Sequence, residues 1–131
     1  MNQSLAVGRY TTDGGALPEL VVLEGNRIVH HDGNEGYAFG VDEQRHGTFE
    51  VAESSKDDGG CLHGGCLRLI IRFTREKGNY GREVGDERTD DAIDETVEAE
   101  VTADGKAILF KEKKFEYVSA ETQIVDVCTR R

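Results

Sequence analysis

From Leu67 to Thr74 the chain alternates with a period of two. Leu67, Leu69, Ile71 and Phe73 fall on one side, and Arg68, Ile70, Arg72 and Thr74 fall on the other. A strand is the element that sends successive side chains to opposite faces. The four apolar residues predict a core-facing side, which leaves Arg68 and Arg72 outside. In the inverted arrangement, two guanidiniums inside a barrel would mark an anionic ligand. No long segment elsewhere repeats apolar residues at i, i+3 and i+4, so the core has no amphipathic helix to draw on. It must be built from sheet.

Further strands are predicted over Leu5–Thr11, Leu20–Leu23, Arg27–His31, Tyr37–Val41 and Gly47–Val51. The second and third form a hairpin around Glu24-Gly25-Asn26. Later in the chain, Val97, Ala99 and Val101 alternate with Glu98 and Glu100. Asp104-Gly105 then reads as a tight turn before Ile108–Phe110, a strand expected to continue, or resume after a bulge, through Phe115–Val118. Ile124–Cys128 is β-branched and reads as a last strand. The stretch Glu76–Glu95 lacks apolar periodicity, and its GDERTDDAIDE portion has room for one helical turn capped by Thr89 or Asp90. About eight or nine short strands punctuated by turns predict a single all-β domain. Sequential hairpins favour an antiparallel meander closed into a barrel, which has no exposed edge; a β-sandwich is the alternative.

This order of signals resembles the lipocalin-like (calycin) barrels. The resemblance is carried by Gly8-Arg9-Tyr10 in the first strand, the following hairpin, Gly47-Thr48-Phe49 and the apolar strand Leu67–Phe73. The chain departs from true lipocalins in having Tyr10 where they usually carry Trp. It departs from fatty-acid-binding proteins in having only a short loop between Thr11 and Leu20, where they insert two helices, and in lacking their C-terminal Arg-x-Tyr.

The 131 residues suffice for one core without staples. A formal net charge of −10 argues against nucleic acid and anionic membrane as partners, since phosphate binding needs clustered Lys and Arg. It permits a basic protein partner. No apolar run approaches the roughly 20 residues of a membrane-spanning helix. MNQSLAVGRY has neither the basic nor the apolar region of a signal peptide, so with Met1 as the native start a cytoplasmic protein is expected. Three cysteines make no disulfide framework.

Cys61, His63 and Cys66 lie within six residues and are zinc-ligand types, with His30, His31, His46 or Cys128 as a potential fourth. Their spacing is not that of a common zinc module, and a Gly-rich turn with a buried Cys66 is the preferred reading. Asp86, Glu87, Asp90, Asp91, Asp94 and Glu95 are oxygen ligands suited to calcium, without the EF-hand spacing, and read better as a solvated loop. His30 and His31 should face opposite sides of their strand, one buried and one exposed. No nucleotide, nucleophile-elbow or metalloprotease motif is present, so no cofactor and no catalytic residue is assigned. A barrel of this size is either just filled or holds one small ligand. With five Phe, four Tyr and no Trp, a pocket is expected, lined by Tyr37, Phe39, Phe49, Phe110 and Tyr117. His30 would help to orient a mostly apolar or amphipathic ligand. The alternative is an acidic interaction module, such as an inhibitor, immunity-like protein or adaptor.

Overall fold

The computed structural model describes residues 5–12, 18–34, 41–53, 67–80, 87–102 and 106–124. Tyr37, Phe39, Cys61, His63 and Cys66 lie outside these residues, as does the Asp104-Gly105 turn. The strands are β1 (Gly8–Thr11), β2 (Glu19–Leu23), β3 (Arg27–Asn34), β4 (Val41–Glu53), β5 (Leu67–Tyr80), β6 (Glu87–Val101), β7 (Ala107–Phe110) and β8 (Lys113–Ser119). Each pairs with the next, antiparallel, and β1 pairs with β8 to close the barrel. The all-β meander barrel anticipated from the sequence is the observed architecture.

Alternation decides what fills the barrel. Leu69, Ile71 and Phe73 are fully buried, while Arg72 stands 61% exposed on the opposite face and pairs there with Asp94. Tyr10, Leu20, Val22, Ile28, Phe49, Ala99, Val101, Ile108, Phe110 and Phe115 complete the core from the other strands. Burying each large side chain of this kind contributes about 1.5–3 kcal/mol.

Three expectations need correction. The strands predicted around Val41 and over Gly47–Val51 are one strand, β4, because Asp42–His46 pairs with both β3 and β5. The acidic stretch is not a helical turn or a loop. Residues 87–95 are extended in β6, held against β5, whose arginines offset part of the acidic charge. Finally, the segment Ile108–Val118 is not one strand. The chain reverses at Lys111 and Glu112, so Phe110 pairs with Lys113 and Ile108 with Phe115. Ile124 lies outside any strand, and the remainder of the predicted last strand falls beyond the described residues.

The reversal at Lys111-Glu112 was hidden because it uses no Gly or Asn. Both residues have left-handed backbones, with φ of 51° and 66°, as a two-residue hairpin turn requires. For residues with a Cβ that conformation costs roughly 1–2 kcal/mol each. Glu112→Gly is therefore expected to raise stability by about 1 kcal/mol in urea melts, even after the extra unfolded-state entropy of glycine. A lower midpoint would rule out this turn geometry.

Candidate functional site

The inner face changes character along β3–β6. Ile28, Phe49, Leu69, Ile71 and Phe73 make it apolar through the middle of the barrel. Toward the end where β3–β6 run on past the β7–β8 turn, the inward positions become polar. His30 pairs across the sheet with Arg45, and Arg45 with Glu76, so the three share the face of Ile28. Arg45 Nε donates to Glu76 Oε2 at 3.0 Å, and its Nη1 donates to Glu95 Oε1 at 2.8 Å. One guanidinium thus bridges β5 and β6. The three side chains remain partly open to solvent, so their bonds contribute more to position than to stability.

His30 marks the boundary between the two zones. Its ring lies 5.0 Å from Phe110 and 6.3 Å from Phe115. Burial lowers its pKa to about 4; Lys111, Arg45 and His31 push the same way, against Asp32. The imidazole is neutral at neutral pH, with one nitrogen donating and one accepting. The unfolded chain takes up this proton below about pH 6.5, whereas the folded chain resists until about pH 4. Stability from neutral His30 is therefore complete above the higher value and lost as pH falls through the lower one. The loss amounts to roughly 3 kcal/mol. His30→Gln should remove this part of the acid slope in denaturant melts, and an unchanged slope would mean that the ring is hydrated.

Of the residues expected to line a pocket, Phe49 and Phe110 are buried in the core and Tyr117 is partly buried against it. The Tyr10 and Tyr117 rings meet edge to face at 5.3 Å, and the Tyr10 hydroxyl donates to the Ala6 carbonyl at 2.6 Å. Burial, then the neighbouring Tyr117, pushes the Tyr10 pKa up to about 12 against that hydrogen bond. His30 and Phe110 are brought together; Phe49 lies farther along β4, opposite Ile71.

The two adjacent histidines do face opposite ways, but neither is exposed, contrary to expectation. His31 sits with Nδ1 3.5 Å from Glu19 Oε2, and Arg9 Nη1 approaches the same oxygen at 2.7 Å. Burial raises the Glu19 pKa, yet the bonds from His31 and Arg9 outweigh it and hold the carboxyl below its usual value. This outer clasp joins β1, β2 and β3.

Arg45, Glu76 and Glu95 were missed in the sequence. Their signal emerges only when residues 75–95 are read as paired strands, which sets alternate charges facing inward. Among the described residues no group of three His, Cys, Asp or Glu side chains is placed to hold a metal ion. No protein-family model matches the chain, and neither does any curated protein or solved structure.

Proposed function

We propose that the protein binds a small amphipathic molecule at the polar end of its barrel. The observation that carries this reading is the change of the inner face from Phe73, Phe110 and Phe115 to His30, Arg45, Glu76 and Glu95. An apolar body would lie against the aromatic cluster, and a polar head would reach the charged residues. Two carboxylates against one guanidinium leave that end net negative, and neutral His30 adds a donor and an acceptor. The chemistry favours a head that donates hydrogen bonds or carries positive charge.

A panel of long-chain amines, alcohols and fatty acids, read by thermal shift, tests the reading. Amines should raise the melting temperature most, and Glu95→Gln should reduce their effect while leaving that of the alcohols. A second reading, an acidic interaction module, is favoured by the full burial of Phe73, Phe110 and Phe115, which occupies interior space. If no amphiphile raises the melting temperature, that second reading takes precedence.

A further inference from the structure

We propose that the edge of β6 from Asp91 to Glu98 docks an extended basic segment of a partner protein as an added strand. This surface is separate from the barrel interior. Among the described residues, β6 pairs with β5 along most of its length but with β7 only through Glu100 and Val101. The reason is the turn at Lys111-Glu112. Continued by a few residues, β7 would have run along Ala99 and beyond; instead the chain folds back into β8. Among the described residues, the stretch Asp91–Glu98 consequently has a strand on one side only. Backbone N–H and C=O groups along such an edge are a template for another strand.

The side chains decide which strand. Asp90-Asp91-Ala92-Ile93-Asp94-Glu95-Thr96-Val97-Glu98-Ala99-Glu100 contains six acids and no base. Arg72 holds Asp94 and Arg45 holds Glu95, whereas Asp91 and Glu98 make no ion pair among the described residues. A second copy of this edge would set carboxylates against carboxylates, which directly opposed positions disfavour. An added strand with Lys or Arg at alternate positions would instead place cations beside Asp94 and Glu98, which share the outer face of β6 with Thr96. At the end of the edge lies a groove of about 320 Å³ lined by Arg68, Glu98, Glu100, Leu109, Lys111 and Glu112. Leu109 is 40% exposed there. The groove gives the incoming strand an apolar foothold at Leu109 among three carboxylates, Glu98, Glu100 and Glu112, which outnumber the cations Arg68 and Lys111 in the same wall.

Labelled eight-residue peptides added to the full chain test the proposal. One alternates Lys with Thr and Val. A second has the same composition with its lysines in one block, and a third is the alternating peptide N-methylated at every second amide. Fluorescence anisotropy should show binding of the alternating peptide, weakening with salt. The block and N-methylated forms should bind at least about tenfold more weakly, the loss expected from a pair of backbone hydrogen bonds. Amide exchange should slow at alternate residues of Asp91–Glu98, and the exposed-site double variant Asp94→Lys/Glu98→Lys should lose binding while keeping its β spectrum. Equal affinity for alternating and block peptides, protection confined to other strands, or no binding at low salt would each overturn the proposal.

Discussion

Truncating Ile71 to Ala is expected to remove roughly 2–5 kcal/mol of stability, a large share of the roughly 5–15 kcal/mol available to a domain. Ile71 lies at the centre of the longest paired region, between Phe49 on β4 and Val97 on β6, and it is completely buried. Its neighbours are fixed by ladder hydrogen bonds on both sides, so they cannot close over the space left behind. Phe110→Ala belongs in the same range, because its ring touches those of His30, Phe73 and Phe115. Arg72→Ala should cost less than about 1 kcal/mol, since its pair with Asp94 is largely exposed. Denaturant midpoints check the order. If Arg72→Ala proves the more damaging, the strand is inside out.

Gly47→Val should be comparably severe. Gly47 lies where the β4–β5 register shifts around Thr74, and the two backbones approach closely there. A Cβ on Gly47 would run into the Arg72 carbonyl oxygen and would lie only 2.8 Å from Phe73 Cα. The obstacle is backbone, which cannot swing aside like the end of a side chain. Accommodation requires moving β5 and with it Phe73 and Arg45's partner Glu76. An expected loss of about 3 kcal/mol follows from overpacking at a site that cannot relax. Gly8 has a similar role at the β1–β8 seam, where a Cβ would lie 2.7 Å from the Tyr117 ring and against the Ser119 carbonyl. A Gly47→Val protein that melts like the parent would show that the strands can separate here.

These two glycines help to explain how much was legible in the sequence. Gly8-Arg9-Tyr10 and Gly47-Thr48-Phe49 stood out as strand triplets, and in the structure their glycines sit where neighbouring backbone leaves no space for a side chain. The apolar half of each strand was equally readable, because burial on one face imposes alternation. Legibility failed where charge replaced apolar residues at inward positions. Arg45, Glu76 and Glu95 satisfy one another across three strands, and no local pattern announces a partner that lies on the next strand. It failed again at Lys111-Glu112, where two residues with unfavourable turn preferences are forced into left-handed conformations by the pairing on either side. The candidate site was therefore read only in its aromatic half, His30 and Phe110, and its charged half came from strand register.

The closure of β1 on β8 has a consequence for the order of folding. Pairings from β1 to β8 in sequence each join neighbours along the chain, so their loop-closure costs are modest. The seam joins Arg9 to Ser119 and Tyr10 to Tyr117, and it gathers almost the whole chain before any contact rewards it. The β4–β6 sheet can assemble first, with the Tyr10–Tyr117 contact and the Arg9 bond to the Gln123 carbonyl following late. Substitutions at the seam should accordingly hasten unfolding with little effect on the folding limb of a chevron plot, while Ile71→Ala should slow folding itself. With that chevron pattern the last contact to form is the first to open, and the lifetime of the folded barrel would be set at Tyr10 and Tyr117 rather than at its most deeply packed strands.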